Sequence, residues 1–169
     1  MPGEAKRVFT FFGMIPNLEP DVILPKLRAL LRGEDQLLFS ANLAPGEDYR
    51  SGVGTVLPQY DNTETRDWLL SFLVGLGVPE TAGELVFEIE PVDELLRIVA
   101  DFNFTQSQPI VVDGERVMFE SSQTLRLFFS YRHTVETLAK RLAKHGLQIV
   151  FCEIAESGEE GVFRVERAG

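Results

Sequence analysis

Four polar side chains have the chemistry to hold a small polar molecule: Asn17, Tyr60, Asp61 and Ser130. An amide, a phenol and a hydroxyl each donate or accept hydrogen bonds, and a carboxylate holds a cation or orients a neighbouring hydroxyl. Each residue also has a plainer interpretation. Asn17 follows a proline and would cap the next helix, and Tyr60-Asp61-Asn62 is typical of a polar turn before a helix. The residues alone leave both interpretations open.

Asn17 stands out because of the segment that precedes it. Residues 7–17 read RVFTFFGMIPN, a basic residue followed by a nearly continuous apolar run. Such a run predicts a strand from Val8 to Ile15 that is covered on both faces. In open α/β sheets, ligands bind at the carboxyl ends of the strands. Asn17 is therefore the first candidate for a binding residue.

The remaining groups of polar residues do not match known catalytic or metal-binding patterns. Ser130 and His133 lie three residues apart at a strand end, without the nucleophile elbow of a hydrolase. His133 and His145 do not have the spacing of a metal pair, and a buried, inert thiol is expected for the single Cys152. The four glutamates between 153 and 160 indicate a solvated acidic turn. The sequence predicts no metal site and no acid–base or nucleophilic catalytic residue.

Composition and charge exclude several classes of protein. The chain is 44% hydrophobic with 13 Phe, which is incompatible with disorder. Its net charge of −10 disfavours nucleic acid and anionic membranes as partners. Arg126, Arg132 and Lys140 are scattered, and we expect them to be solvated. No apolar run is long enough to span a bilayer and no signal peptide is recognisable, so we expect a cytoplasmic protein.

The order of predicted elements indicates an α/β fold. Strand, helix and strand within residues 8–43 predict a parallel βαβ unit. An irregular stretch over 44–62 then leads to a helix over 63–76. From 84 to 134 the apolar residues alternate, which predicts an antiparallel meander with a hairpin at Asp113-Gly114. A helix, a strand, an acidic turn and a closing antiparallel strand end the chain. The apolar face of the helix over 63–76 comprises Trp68, Leu69, Phe72, Leu73 and Leu76.

This order, with the motifs FFGMIPN, LLRGEDQLLFSANLAPG, LPQYDNTET and LRLFFSYRHT, resembles the C-terminal half of class I S-adenosylmethionine-dependent methyltransferases. More narrowly, it is similar to the histidine-specific methyltransferase family. The resemblance implies a single domain over 1–169 with a partial Rossmann-like sheet and an inserted antiparallel β meander. The core would comprise residues 1–46 and 135–169, and the substrate-binding insertion about 47–134.

The resemblance also implies roles for individual residues. Asn17, Tyr60 and Ser130 would bind an amino acid or related small-molecule acceptor, and Asp61 would orient Tyr60 or hold a substrate cation. The loop with Gly13 and Met14 would contact S-adenosylmethionine. The sequence departs from the family pattern at two positions. Pro16 removes a backbone donor from the loop, and Phe128 replaces an acidic residue two positions before the serine. The second departure puts histidine itself in doubt as the acceptor.

The chain lacks the Gly-rich loop and acidic residue with which such enzymes bind their cofactor. The nearest pattern, GVGTV at 52–56, follows a loop rather than a strand. We therefore expect cofactor binding only together with a missing N-terminal methyltransferase half. Removing the first strands of such a sheet exposes an edge, which this half or a second copy of the chain would cover. The alternative is a non-catalytic module that acts through homo- or hetero-oligomerisation.

Overall fold

The computed structural model describes residues 5–169, which form three sheets and four α-helices. The strands are β1 Val8–Phe11, β2 Gln36–Asn42, β3 Gly83–Val92, β4 Leu95–Phe104, β5 Gln108–Val112, β6 Glu115–Phe119, β7 Thr124–Arg132, β8 Leu147–Ile154 and β9 Glu160–Arg167. The helices are α1 Pro20–Leu30, α2 Tyr49–Val56, α3 Thr63–Gly75 and α4 Val135–Lys144. The chain thus has a mixed α/β fold.

The first sheet combines the two ends of the chain. Its strand order is β1-β2-β9-β8, with β1 and β2 parallel and β9 antiparallel to both of its neighbours. Helix α1 connects β1 to β2, which confirms the predicted parallel βαβ unit. Helix α4 precedes the β8–β9 hairpin that completes the sheet.

Helices α1 and α4 cover one face of this sheet. The cross-strand row Phe11–Phe39–Phe163–Cys152 lies on the covered face, together with buried leucines of both helices. Phe39 and Phe163 are fully buried and stack with their ring centroids 5.6 Å apart. Burial of this kind contributes about 1.5–3 kcal/mol per large apolar side chain.

The opposite face carries the row Thr10–Leu38–Arg164–Phe151 and is largely exposed. We call this row, together with Val8, the open face. Phe151 is 50% exposed and Val8 60% exposed. Within residues 5–169, no strand pairs with the outer edge of β1.

The prediction that the first strand is covered on both faces is therefore wrong for this chain. The strand is also shorter than predicted. It ends at Phe11, because Gly13 turns the backbone with a φ of +71°, and residues 15–17 form a 3₁₀ turn instead of continuing the strand.

Residues 83–132 form antiparallel strands, but these do not follow one another as a simple meander. The second sheet has the order β3-β4-β7, and β5 and β6 form a separate two-stranded hairpin. The turn of that hairpin is Asp113-Gly114, with φ values of +52° and +82°, as predicted from the dipeptide. The second sheet packs against α2 and α3 around a core of its own that includes Phe102 and Phe104.

A backbone bridge joins the ends of β2 and β7 and so connects the two cores. Leu43, just beyond β2, pairs in parallel with His133, just beyond β7. The His133 amide donates to the carbonyl of Asn42 at 2.9 Å, and the Ala44 amide donates to the carbonyl of His133 at 2.8 Å. The carboxyl end of β7 thus lies beside the carboxyl end of β2, where β1 has already ended.

Three features of the helices differ from the predictions. The stretch over 44–62 is not irregular throughout, because it contains α2, capped by the Asp48 side chain. Since a proline is best tolerated in the first turn of a helix, Pro25 predicts a start near Val22 or later, but α1 starts at Pro20 and Pro25 lies beyond its first turn, at an exposed position. Helix α3 buries Leu69 and Leu73 but leaves Trp68 and Phe72 exposed.

Candidate functional site

The candidate site lies at the carboxyl ends of the parallel strands β1 and β2, where α/β sheets bind ligands. The Gly13 amide donates to the Ser40 hydroxyl at 3.0 Å and so fixes the loop after β1 to the second strand. Nothing lies within 4 Å of the point where a Cβ of Gly13 would be. Met14 is 52% exposed beside it. The loop is therefore accessible at the free edge of the sheet.

Four polar side chains from β2, β7 and the loop before α3 meet next to this loop. We call them the polar cluster: Asn42, Tyr60, Ser130 and Arg132. The Asn42 amide donates to the Ser130 hydroxyl at 3.2 Å and to the Tyr60 hydroxyl at 3.4 Å. Ser130 is only 1% exposed, so its hydroxyl supports Asn42 in this arrangement.

Arg132 is the centre of the polar cluster. Its side chain is buried, and Nη1 donates to the carbonyls of Leu43 and Glu159 at 3.1 and 3.2 Å. Nη2 donates to the Tyr60 hydroxyl oxygen at 2.6 Å, and the guanidinium also lies 5.3 Å from the Tyr60 ring centroid. Because the Tyr60 oxygen already accepts from Arg132 and Asn42, its own proton is directed elsewhere. Tyr60 therefore acts as a hydrogen-bond donor to any ligand that reaches it.

An open groove of about 420 Å³ lies along residues 126–129 of β7. We call it the aromatic groove; its lining residues are Asn17, Trp68, Arg126, Leu127, Phe128 and Phe129. The Asn17 amide nitrogen donates to the carbonyl of Phe129 at 2.7 Å. The Phe128 and Tyr60 ring centroids are 5.6 Å apart, so the groove adjoins the polar cluster. This volume is within the range of small-molecule sites.

An ion-pair network lies behind the groove. Arg126 bonds both carboxylate oxygens of Asp101, at 2.6 and 2.9 Å, and also contacts Glu90 at 2.8 Å. The hydrogen bond from Arg126 lowers the pKa of Glu90 to about 2, and the two carboxylates raise the pKa of Arg126. Arg97 extends the network from Glu90 to Glu19. The charges beside the groove are thus satisfied by one another.

Tyr131 connects this network to the loop before α1. It is 1% exposed, and its hydroxyl donates to Glu19 at 2.8 Å. Burial, followed by this hydrogen bond, raises the pKa of Tyr131 to about 12. The residue is a neutral donor that fixes β7 to the loop carrying Asn17.

His133 is buried, and neither of its ring nitrogens has a hydrogen-bond partner among residues 5–169. It borders a small internal cavity that also contacts Arg141. Burial, and secondarily the charge of Arg141, lowers the pKa of His133 to about 4. The Ser130 hydroxyl is hydrogen-bonded to Asn42 and not to His133. Ser130 and His133 therefore do not form a nucleophile and its base.

The candidate residues from the sequence fall into two groups. Tyr60 and Ser130 are brought together through Asn42, and Asn17 lies in the adjoining groove. The Asp61 carboxylate pairs with Arg66 at 2.6 Å and not with the Tyr60 hydroxyl in the part of the chain that the structure describes. The binding roles that the resemblance implied for these residues, and for Gly13 and Met14, stay predictions.

Sequence reasoning missed Asn42, Trp68 and Arg132. Asn42 lies at the carboxyl end of β2, beside the strand that leads to Asn17. Because ligands bind at such strand ends, this position could have identified Asn42 as a candidate. Arg132 was expected to be solvated but is 4% exposed, and Arg126 was expected to be solvated but is paired twice. Nothing in the local pattern distinguishes these arginines from Lys140, whose side chain is 64% exposed.

Across residues 5–169, no three His, Cys, Asp or Glu side chains are grouped as metal ligands would be. Each α-helix in the same part of the chain is too short or too polar to cross a lipid bilayer.

Comparisons with known proteins give distant structural similarities only. No family model matches the sequence, and no curated protein matches it. Among solved structures, a S-adenosylmethionine-dependent methyltransferase from Clostridium acetobutylicum is 12% identical, with a TM-score of 0.45, 96% of this chain covered and 58% of the other. The methyltransferase CcbJ from Streptomyces caelestis is 12% identical, with a TM-score of 0.41 and coverages of 99% and 59%. The glycopeptide N-methyltransferase MtfA, in complex with S-adenosylmethionine, is 9% identical, with a TM-score of 0.39 and coverages of 95% and 57%.

The chain therefore spans less than three fifths of the length of each of these structures. At such identities and TM-scores, the similarities assign neither an activity nor a substrate to it.

Proposed function

We propose that this chain is the acceptor-binding half of a class I S-adenosylmethionine-dependent methyltransferase. The cofactor-binding half would be supplied by more of the same polypeptide or by another chain. The observation that carries the proposal is that the accessible loop after β1, the polar cluster and the aromatic groove lie near the carboxyl ends of β1 and β2, in a sheet whose β1 edge and open face have no partner among residues 5–169. A second copy of the chain is the other partner that the edge of β1 would accept.

Methyl transfer from a sulfonium is an in-line displacement, so most of its catalysis comes from positioning two reactants. S-adenosylmethionine supplies the electrophilic methyl group when bound. The accessible loop of Gly13 and Met14 suits one wall of a cofactor cleft, but the Gly13 amide already donates to Ser40. The remaining cofactor contacts would come from the other half.

The acceptor would be a small molecule with a nucleophilic nitrogen. The Phe129 carbonyl can only accept, so the nitrogen of the Asn17 amide points to it and the oxygen is left to accept a hydrogen bond. An N–H group of the acceptor would satisfy this oxygen and be held in place for transfer. Tyr60 would donate to a second polar atom of the acceptor, with Arg132 as the positioning residue.

Isothermal titration with S-adenosylmethionine tests the proposal. We expect no tight binding by this chain alone, and both binding and methyl transfer when it is combined with a polypeptide that carries a Gly-rich cofactor loop and is encoded beside it. Asn17→Ala should then raise the KM for the acceptor and leave cofactor binding unchanged. Tight binding by this chain alone would refute the claim that its cofactor site is incomplete.

The second candidate is a non-catalytic module that acts through homo- or hetero-oligomerisation. It is favoured by the exposed apolar side chains of the open face, Val8 and Phe151 among them, which two copies could bury against each other. Light scattering distinguishes the two candidates. A homodimer without cofactor affinity in any combination would support the module, and a monomer that acquires affinity only with a second half would support the enzyme.

A further inference from the structure

We infer that the aromatic groove binds a planar aromatic amine without a carboxylate group. This inference rests on the proposed function, because the bound amine would be the methyl acceptor. It narrows that acceptor from small molecules in general to flat rings with an N–H group, and it excludes free amino acids.

The walls of the groove indicate a flat ligand. Trp68 is 65% exposed, although tryptophan is usually the residue with most to gain from burial, and its neighbours in the lining are Phe128 and Phe129. Trp68 reaches this position because α3 buries Leu69 and Leu73 on its other side. Aromatic rings pack favourably in offset or edge-to-face contacts, so a planar ring gains more here than a flexible chain would.

The charges of the groove argue against a zwitterion. Arg126 is the one charged residue of the lining, and Asp101 and Glu90 already occupy its guanidinium. A ligand carboxylate would have to displace those two groups, and a ligand ammonium would find both of them already paired. Neither charge of a zwitterion would therefore find an unpaired partner in the lining, and the net charge of −10 adds repulsion toward anions.

Asn17 indicates the functional group on the ring. Its amide nitrogen is held by the Phe129 carbonyl at 2.7 Å, and its oxygen is left to accept from the ligand. An aromatic amine or an N–H heterocycle offers that donor while keeping the flat shape that the walls favour.

The single tryptophan of the chain provides a direct readout, because one indole N–H signal in a ¹⁵N–¹H spectrum reports on Trp68 alone. We expect 6-aminoquinoline to shift this signal saturably in the full chain. Histidine, a zwitterion with a ring, and cyclohexanecarboxamide, a neutral N–H donor without a flat ring, should not do so at the same concentrations.

Calorimetric titration with 6-aminoquinoline tests whether the Trp68 ring contacts the ligand. Trp68→Leu should weaken binding by about three- to tenfold, the usual contribution of an aromatic contact. The matched control is Phe72→Leu. Phe72 lies one turn further along the same helix, is 61% exposed and is not part of the lining, so its replacement should leave the affinity unchanged.

Three results would overturn the inference: no saturable shift with 6-aminoquinoline, equal binding of histidine, or equal loss of affinity in both variants. A shift of the indole signal on diluting the chain without ligand would assign the groove to a second copy, and would overturn it as well. None of these measurements needs the cofactor or a second half. Failure of methyl transfer with 6-aminoquinoline binding intact would therefore count against the proposed function and not against this ligand class.

Discussion

The two larger sheets of this protein treat their outer faces in opposite ways. On β3-β4-β7, charged side chains of the outer face pair with one another, as Arg126 does with Glu90 and Asp101. On β1-β2-β9-β8, the open face combines an exposed valine and an exposed phenylalanine with a strand edge that lacks a partner in residues 5–169. Each sheet has an apolar core on one face, but β3-β4-β7 pairs the charges of its other face within the chain, whereas β1-β2-β9-β8 leaves apolar side chains of its other face exposed. The difference indicates that the open face, and not the outer face of β3-β4-β7, is the surface that a partner would cover.

The largest effect should come from the covered face of the four-stranded sheet. Phe163→Ala removes a fully buried ring that stacks on Phe39, and we expect the free energy of unfolding to fall by about 3–5 kcal/mol. Urea denaturation measures this directly. A loss below about 1 kcal/mol would mean that the covered face is not a packed core, and the contrast with the open face would disappear.

Acid should loosen the junction between the two sheets. In the unfolded chain His133 takes up a proton near pH 6.5, but in the folded chain only near pH 4. Lowering the pH through this window therefore favours the unfolded state by about 3 kcal/mol, and the contribution is fully present above pH 6.5.

We assign the loss of stability in this pH range to His133. The pKa values of Asp21, Asp35 and Glu90 are lowered in the folded chain, so these carboxylates begin to lose their contributions to stability only below their ordinary pKa values of 3.8 and 4.5. Stability curves at pH 7 and pH 5 test this, with His133→Leu as the non-titrating control. An unchanged pH dependence in that variant would show that another group is responsible.

The paired charges on the second sheet should contribute less. Glu90→Gln breaks two contacts to arginines, and since Glu90 is partly exposed we expect a loss of about 1 kcal/mol that shrinks in high salt. The surface pair Glu136–Lys140 on α4 is a matched control, whose disruption by Lys140→Gln should leave unfolding unchanged. Equal changes in the free energy of unfolding for Glu90→Gln and Lys140→Gln would show that this network stabilises its sheet no more than a surface ion pair does.

The smallest effect on stability should come from a substitution on the open face, measured in the chain without a partner. Phe151→Ala should lower the free energy of unfolding by less than about 1 kcal/mol, because half of the ring is already in water. The same substitution should weaken association with any polypeptide that covers this face. A loss as large as that of Phe163→Ala would show that Phe151 is buried in solution.

Local signals in the sequence were sufficient for much of the fold. The parallel βαβ unit follows from the alternation of elements over 8–43, and the Asp113-Gly114 turn follows from the two positive φ values that this dipeptide adopts readily. Helix α3 was placed to within a residue, but the face that it buries was not. Its apolar residues extend around more than one side, so periodicity cannot determine which of them face the core.

The site was harder to predict because its contacts connect distant parts of the chain. The Asn42–Ser130 hydrogen bond joins residues 88 positions apart, and the Arg132–Tyr60 bond joins residues 72 positions apart. The burial of Arg132 depends on carbonyls of Leu43 and Glu159. No window of the sequence contains these partners together, so a buried guanidinium looks the same there as a solvated one.

The bridge between Leu43 and His133 has a consequence for how such a chain can change over evolutionary time. Paired backbones lie about 4.8 Å apart, so the segment over 44–132 leaves and re-enters the rest of the protein at practically one point. Because the two backbones run parallel at the bridge, a replacement for this segment would have to be another crossover and not a tight turn. It would also have to replace the contacts of β7 with the loop before α1, such as those of Phe129 with Asn17 and of Tyr131 with Glu19. A crossover that met both conditions could carry different groove residues while the four-stranded sheet kept its own packing.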